Sequence, residues 1–261
     1  GGADVVELLV PEPGEFGAET WLNGSKVGTP GVGKVDAWAP YSADPELGLV
    51  YIPVGMPLMD EYGGHRPGNN LFGNSLVAID VKTGKRKWHF QLVHHGMWDM
   101  DIPCAPILAD VMIDGRLRKI VAQPTKQAFL YVFDRVTGEP LWPIEERPVP
   151  QTDAPGEETS PTQPIPTAPP PFARQSFTEA DINPHLSADE QADIRKRMAG
   201  YRNEGVYTPP SLRGTIQMPG HNGGANWGSS AVDPTKGTMY IVSKELPTLI
   251  ALQRPGAATT C

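Results

Sequence analysis

The chain has 261 residues and a net charge of −8, with 29 prolines and 28 glycines. An acidic chain disfavours nucleic acid and anionic membranes as partners, because both carry negative charge themselves. No apolar run in the sequence approaches the roughly 20 residues that a membrane-spanning helix needs. So much Pro and Gly is typical of many short strands joined by turns, which favours an all-β protein.

The two cysteines, Cys104 and Cys261, say little about the cellular compartment. They allow a disulfide or two separate thiols, and we favour the two thiols. There is no Cys-x-x-Cys-His sequence, so no covalent haem site is predicted in this chain. Residues 1–4 do not form a signal peptide, so we expect that any export signal was removed or never present.

In chain order, Pro13–Trp21 is interpreted as a connection from an earlier structural unit. The first repeated pattern follows in Trp38–Ile52 and returns in Trp227–Ile241, with Trp, Asp-Pro-x-x-Gly and Tyr-Ile at identical offsets. Pro presets φ and Gly accepts a positive φ, so Asp-Pro-x-x-Gly is turn chemistry. Each copy therefore predicts a β-hairpin.

A second pattern, Asp-x-x-Thr-Gly-x-x-x-Trp, occurs in Ala78–Trp88 and again 54 residues later in Val132–Trp142. A fixed period of this size indicates a repeat architecture, and four strands per repeat is the arrangement of a β-propeller. Trp88 and Trp142 recur with the repeats, so we expect them to pack between blades.

These patterns predict one blade over Val35–Leu92, a second over Met100–Trp142, and a third that begins near Asn222. The fold class is therefore an all-β propeller of which the chain encodes about two and a half blades. A closed propeller needs at least four blades, so we expect the chain to be part of a larger protein.

Pro143–Arg174 interrupts the blades with a Pro-rich stretch, which is interpreted as an extended and solvated loop. A helix follows, because Ser187 and Glu190 form a capping-box sequence before a charged segment. The predicted domains are 1–142, with the blades and the N-terminal connection, 143–204 as an insertion, and 205–261 as the start of a further blade.

Three sequence features occur together: the two Asp-x-x-Thr-Gly-x-x-x-Trp repeats, His-His-Gly-Met-Trp-Asp-Met-Asp at 94–101, and Pro-Thr-Lys at 124–126. In combination they resemble the quinoprotein dehydrogenases that use pyrroloquinoline quinone, in particular the glucose and quinate branch. The resemblance implies an eight-bladed propeller that oxidises a sugar, polyol or alcohol by hydride transfer to the quinone. It also implies a periplasmic location, a Ca²⁺ or Mg²⁺ ion, and electron transfer to an external quinone or cytochrome.

Asp99 and Lys126 are the candidate catalytic residues that the resemblance implies. Asp99 would act as the general base that removes the hydroxyl proton and would also lie beside the metal. Lys126 would stabilise negative charge on the quinone oxygens. The alternatives are a turn-capping Asp and a solvated Lys at a strand end. Asp101 is interpreted as structural.

Trp38, Asn226 and Trp227 are the candidate cofactor-binding residues, together with Lys126. Trp38 matches the tryptophan on which the planar cofactor stacks in the family, and an indole face suits that role. Asn226 would donate its amide protons to the cofactor oxygens. The alternatives are a Trp packed between blades and an Asn that belongs to a turn.

The metal site departs from the family pattern at Met56, which stands where calcium-dependent relatives have an Asn ligand. A thioether does not suit a hard cation that prefers oxygen, so a metal held by Asp99 needs other ligands. The neighbouring oxygen donors are Asp60, Asn69 and Asn70, and the sequence does not select among them. His94 and His95 either shape a substrate mouth or cap a strand.

Two other classes of function remain open. The chain is a non-catalytic propeller segment for binding or scaffolding if Asp99 and Lys126 form a purely structural ion pair. It is an inactive fragment if its blades need a partner chain. Met56 favours both of these alternatives, whereas Trp38, Asp99 and Lys126 together favour the enzyme.

Overall fold

The computed structural model describes residues 10–23, 25 and 35–254. The predictions for residues 1–4 and for Cys261 lie outside this part of the chain. In the described part, no helix is both long and apolar enough to cross a membrane. Within these residues, the structure consists mainly of short antiparallel strands and contains one α-helix. The strands are β1 (Ser42–Asp44), β2 (Leu49–Pro53), β3 (Ser75–Asp80), β4 (Arg86–Gln91), β5 (Ile107–Ile113), β6 (Arg116–Pro124), β7 (Leu130–Asp134), β8 (Ile144–Pro148), β9 (Thr162–Pro166), β10 (Thr215–Gln217), β11 (Ser230–Asp233), β12 (Thr238–Ile241) and β13 (Thr248–Ile250).

The first blade is a four-stranded antiparallel meander in the order β1-β2-β3-β4. Its residues 75–79 on β3 are all buried, as expected for a central strand covered on both faces. The second blade contains β5-β6-β7. An isolated antiparallel bridge between Phe133 and Pro140 occupies the position of a fourth strand. The β11-β12 hairpin and the antiparallel pair β10-β13, whose strands are distant in sequence, form the third region.

One turn chemistry recurs at the hairpins that the sequence predicted. The turns are Asp44–Gly48, Asp80–Gly84, Asp134–Gly138 and Asp233–Gly237. In each, an Asp Oδ1 accepts the backbone N–H two residues on, and in the first three turns also the N–H three residues on. The closing glycines have φ between 62° and 78°, a region that favours Gly. The hairpin predictions are therefore confirmed.

Because neighbouring strands run antiparallel, each blade has two distinct ends. The Asp-Gly turns close the hairpins at one end, here called the turn end. The long connections that follow β2, β4 and β6 cover residues 54–74, 92–106 and 125–129, and they gather at the opposite end, here called the loop end. Asp99 and Lys126 lie on loop-end connections, whereas the repeated turns hold the scaffold.

The two blades pack through aromatic side chains, as predicted for Trp88. This side chain is 8% exposed and lies among Tyr51 and Phe133, with ring centroids 5.9 Å away in both cases. A Cβ on Gly138 would come within 2.6 Å of the Trp88 ring, so this glycine is needed for close approach as well as for its φ of 78°. Trp142 is half-buried against the apolar face of β5–β7.

The interpretation of Pro143–Arg174 as an extended solvated loop was wrong in part. Strands β8 and β9 pair as an antiparallel ribbon, with Ile144 opposite Pro166, and Gln163 is fully buried. An isolated ribbon has two free edges, where proline costs no ladder hydrogen bond, so a Pro-rich segment forms one without penalty. The helix prediction is confirmed as α1 (Ala188–Met198), which is capped by Ser187.

Candidate functional site

Asp99 and Lys126 are in direct contact at the loop end. The Lys126 Nζ lies 3.0 Å from Asp99 Oδ1 and donates to the Asp99 backbone oxygen at 2.8 Å. It also lies 3.9 Å from Asp101 Oδ2. The side chains of Lys126, Asp99 and Asp101 are 7%, 21% and 17% exposed. A nearly buried ammonium group therefore faces two partly accessible carboxylates. This set is called the Lys126 cluster below.

The backbone at Asp99 is held in an uncommon conformation. Asp99 has φ of 51°, which few non-Gly residues adopt without support from their surroundings. Its N–H donates to the backbone oxygen of Asp60 at 3.1 Å, and Trp98, just before it, is fully buried. The Trp98 indole N–H donates to the Thr208 oxygen at 3.0 Å. The carboxylate is therefore presented by a fixed turn.

Burial raises the pKa of Asp99, while the neighbouring Lys126 ammonium opposes the rise and Asp101 and Asp60 add to it. The pKa of Glu61 is raised as well, because of burial and the charges of Asp60 and Asp99. The loop end therefore collects carboxyl groups that hold protons more strongly than carboxyl groups in water.

Two connections link Trp38 to this cluster. The Gly55 N–H donates to the backbone oxygen of Asp36 at 2.8 Å, and the next N–H, that of Met56, donates to Asp101 Oδ1 at 2.7 Å. Trp38 lies two residues beyond Asp36, and half of its side-chain surface is exposed. The structure thus brings the loop of Trp38 to the cluster and leaves Trp38 half exposed. The role of Trp38 as a cofactor platform stays a prediction.

Asn226 and Trp227 lie on a turn that reaches the same loops. The Asn226 backbone oxygen accepts a hydrogen bond from Cys104 Sγ at 3.0 Å. Its side chain donates to the Asn222 oxygen and accepts the Trp227 N–H, so it stabilises its own turn. Trp227 is 70% exposed. No hydrogen bond or ion pair in the described residues joins either side chain to the Lys126 cluster, and their cofactor contacts stay predictions.

Two consecutive glycines fix the position of Lys126. The Gly224 N–H donates to the Lys126 oxygen at 2.7 Å, and a Cβ on Gly223 would lie 2.4 Å from Lys126 Cγ. The lysine stem therefore packs directly against backbone from the third region. Cys104 lies nearby and is buried, which raises its pKa to about 12 and leaves it a poor nucleophile.

His94 and His95 both bind glutamates of the insertion. His94 Nε2 lies 3.0 Å from Glu146 Oε1, and His95 Nε2 lies 2.8 Å from Glu157 Oε1. The second pair is buried, with side chains 2% and 0% exposed. Glu157 also accepts the Gly63 N–H. These contacts attach the insertion to the loop that carries Asp99, a role that the sequence interpretation did not include.

The oxygen donors considered for a metal differ in what they already contact. Asn70 is fully buried and exchanges hydrogen bonds with Arg66, whose guanidinium is also fully buried. Asn69 is exposed and uses its backbone oxygen for Gln91 and His95. Across residues 10–23, 25 and 35–254, no group of three or more His, Cys, Asp or Glu side chains is arranged to hold a metal ion.

Comparison with curated proteins shows similarity to bacterial quinoprotein dehydrogenases. The quinate/shikimate dehydrogenase (quinone) of Acinetobacter baylyi is 37% identical over 219 residues, which are 83% of this chain and 27% of that protein. The quinoprotein glucose dehydrogenase of Gluconobacter oxydans is 40% identical over 81% of this chain and 26% of its own length. The glycerol dehydrogenase large subunit of the same bacterium is 38% identical, with shares of 88% and 31%.

The solved structure of a quinohemoprotein alcohol dehydrogenase from Pseudomonas putida superposes with a TM-score of 0.62 and 25% identity, covering 97% of this chain and 32% of that one. The chain thus spans between a quarter and a third of the length of these four relatives. The prediction of a partial all-β propeller is confirmed by these neighbours and by the strand arrangement. Residues 11–260 match the β-propeller domain of PQQ glucose/ethanol/alcohol dehydrogenases, and the chain belongs to this family.

Proposed function

We propose that this chain contributes the general base and the adjacent cation to a dehydrogenase that oxidises a hydroxyl group of a sugar, polyol or alcohol. The observation that carries this proposal is the contact between Asp99 and Lys126 at the loop end. The names of the relatives, which act on glucose, quinate and glycerol, support the substrate class. The chain spans only a minor part of the length of those relatives. The activity of the whole protein is therefore proposed along with the roles of these two residues.

Asp99 suits proton removal for a physical reason. A general base works best when its pKa lies nearer to the working pH, and burial moves the pKa of Asp99 in that direction. Lys126 opposes this rise and so favours the ionised carboxylate, which is the form that accepts a proton. The 21% exposure of the Asp99 side chain leaves an oxygen accessible to a substrate hydroxyl. Lys126 also provides a fixed positive charge where negative charge would develop.

The described residues fit a planar, anionic cofactor. Trp38 and Trp227 are 50% and 70% exposed, which is unusual for indoles and leaves flat apolar faces for stacking. The Lys126 ammonium supplies the nearby cation. When bound, pyrroloquinoline quinone supplies the hydride acceptor for the oxidation. Asn226 would need to release its turn contacts to reach it, so we rank Asn226 below Trp38 and Lys126 as a cofactor ligand.

A metal ligand role for Asp99 is the least supported part of the proposal. Asp99 and Asp101 offer two carboxylates, but Lys126 lies between them and competes with any cation. Met56 is buried and contributes only its N–H, to Asp101. A Ca²⁺ or Mg²⁺ ion at Asp99 would therefore need oxygen ligands beyond the two carboxylates that Lys126 already contacts. An external quinone or cytochrome acceptor, the remaining blades and a periplasmic location also belong to the proposal.

The direct test is reconstitution with pyrroloquinoline quinone and Ca²⁺, followed by dye reduction with glucose, quinate, glycerol and ethanol. We expect turnover with at least one of them, and a loss of about 10²–10⁴-fold in kcat for Asp99→Asn, the usual contribution of a general base. Quinone binding, measured by the quenching of tryptophan fluorescence, should persist in this variant. Asp80→Asn, in a turn at the opposite end, serves as the control. Unchanged turnover in Asp99→Asn would rule out the base assignment.

A second candidate, a non-catalytic propeller segment for binding or scaffolding, is favoured by one observation. The ion pair of Asp99 and Lys126 is complete without any ligand, and Met56 replaces an expected metal ligand. On this alternative, quinone does not quench the exposed tryptophans even with excess Ca²⁺, and Asp99→Asn changes stability alone. Quinone binding without turnover would favour the inactive fragment.

A further inference from the structure

Two buried glutamines fix the loop that carries Asp99. Gln163 on β9 donates its side-chain N–H to the His94 oxygen at 2.7 Å. Gln217 on β10 donates in the same way to the Trp98 oxygen, also at 2.7 Å. Both glutamines are no more than 1% exposed. The two bonds have the same chemistry and length, but only the second involves the peptide group that joins Trp98 to Asp99.

That peptide group determines how Asp99 is presented. The Trp98 carbonyl and the Asp99 N–H belong to the same rigid plane, so fixing one fixes the other. Gln217 binds the carbonyl side, and Asp60 accepts from the N–H side. Since Asp99 has φ of 51°, its conformation relies on such external bonds to persist.

Gln217 itself is rigidly placed. Its backbone pairs with Thr248 in the β10-β13 ladder, and its side chain crosses 119 positions of sequence to reach Trp98. Its Oε1 has no hydrogen-bond partner among the described residues, so a single donated bond orients the amide. A buried amide with an unpaired acceptor calls for an explanation, and the bond donated to Trp98 is the contact that orients it.

We propose that Gln217 is a positioning residue that holds Asp99 within reach of Lys126. The inference rests on the proposed function only in calling Asp99 the base, because the geometry concerns this chain alone. If Gln217 acts in this way, its loss lets the Trp98–Asp99 peptide rotate and weakens the contact between Asp99 and Lys126. The pKa of Asp99 then rises, since the lysine is the group that holds it down.

The experiment compares Gln217→Met with Gln163→Met. Both changes remove one buried 2.7 Å donor bond to the same loop and keep a side chain of similar volume. Gln163→Met also removes the bond that Gln163 Oε1 accepts from the His94 N–H at 2.8 Å, so the control disturbs the loop at least as much as Gln217→Met does. The pKa of the Asp99 carboxyl is measured by ¹³C NMR titration, with Asp99→Asn used to assign the signal. We expect a higher pKa of Asp99 in Gln217→Met and an unchanged one in Gln163→Met. An unchanged or lower value in Gln217→Met would overturn the proposal, as would an equal rise in both.

A double-mutant cycle separates positioning from general destabilisation. In a Lys126→Met background, Gln217→Met should no longer raise the pKa of Asp99, because the lysine contact is already absent. A rise that persists there would contradict the proposed route. If Gln217→Met does not fold, Gln217→Asn keeps the amide one methylene too short and should give a smaller rise in the same direction. The titration needs neither cofactor nor substrate, so its outcome is independent of the turnover test for Asp99→Asn.

Discussion

The two ends of the blades each contain a cation between two aspartates, with opposite consequences for the carboxylates. At the turn end, Arg135 lies 2.7 Å from Asp44 and 2.6 Å from Asp110, and this set is called the Arg135 cluster. Burial opposes ionisation of Asp44, but the N–H groups of Leu47 and Glu46 and the Arg135 guanidinium together lower its pKa. At the loop end, burial prevails and the pKa of Asp99 is raised.

The difference lies in what else surrounds each carboxylate. Asp44 Oδ1 receives two backbone N–H donors from its own turn, and Asp44 Oδ2 faces the Arg135 guanidinium at 2.7 Å. Among the described residues, the Asp99 carboxylate receives a hydrogen bond from the Lys126 ammonium alone, and it faces Asp101 and Asp60. A carboxylate satisfied by its surroundings is structural, whereas one that lacks donors retains affinity for a proton. The comparison therefore distinguishes a scaffold contact from a candidate base.

The largest effect on stability is expected at the turn end. Asp44→Asn keeps an acceptor for the backbone N–H groups but removes the charge that faces Arg135. The loss of a hydrogen bond to a charged group should lower the free energy of unfolding by about 1.5–3 kcal/mol. Urea unfolding measures it. Asp99→Asn should cost less, because Asp101 still faces Lys126. An equal or greater loss for Asp99→Asn would contradict the distinction.

The two aspartates should also give stability opposite dependences on pH. The lowered pKa of Asp44 contributes stability above its ordinary value of 3.8, and this contribution is lost as the pH falls through the folded-state pKa. The raised pKa of Asp99 contributes stability below 3.8 that is lost as the pH rises through its folded-state pKa.

Urea unfolding between pH 3 and 7, a range of about four units, measures this dependence. The acid loss of stability should become shallower in Asp44→Asn. In Asp99→Asn, the free energy of unfolding relative to the unaltered protein should increase from the acid end toward neutrality. Parallel profiles for the two variants would show that the two clusters do not differ.

Lys126→Met sharpens the comparison at the loop end alone. The variant removes the only group that holds down the pKa of Asp99, while Asp101 and Asp60 remain. The pKa of Asp99 should therefore rise further, with a modest effect on stability because a methionine fills the same space. Carboxyl NMR titration measures the shift. A fall in the pKa would mean that water, rather than the cluster, governs this carboxyl.

The smallest effect is expected for Lys119→Ala, which removes an exposed ion pair beside the Arg135 cluster. Lys119 Nζ lies 3.2 Å from Glu46 Oε2, with side chains 37% and 79% exposed. Such surface pairs contribute about 0–1 kcal/mol, so the free energy of unfolding should change by no more than that. A larger loss would show that Glu46 supports the turn of Asp44 through this lysine.

The sequence predicted the parts of the fold that depend on local chemistry. An Asp that caps its own turn and a Gly with positive φ act within five residues, so Asp80–Gly84 and its repeats were readable from the sequence. The β8-β9 ribbon was missed, because Pro-rich composition is shared by solvated loops and by ribbons with free edges.

For the site, family resemblance brought out Asp99 and Lys126, which lie 27 residues apart and are in contact. The Gln217 bond to Trp98 spans 119 residues, and the bond of His95 to Glu157 spans 62. A buried Gln or Glu has no local pattern that reveals its partner. Such long-range polar contacts can be identified only in the folded structure.

The packing of Gly223 and Gly224 on Lys126 has a consequence for how the chain tolerates change. The lysine stem packs against backbone from a later part of the chain. The position of its ammonium group therefore depends on the loop of residues 220–226. Proteolytic cleavage in that loop, far from Asp99 in sequence, would release the ammonium while both blades stay folded. Any β-carbon introduced at Gly223 would push the lysine aside in the same manner.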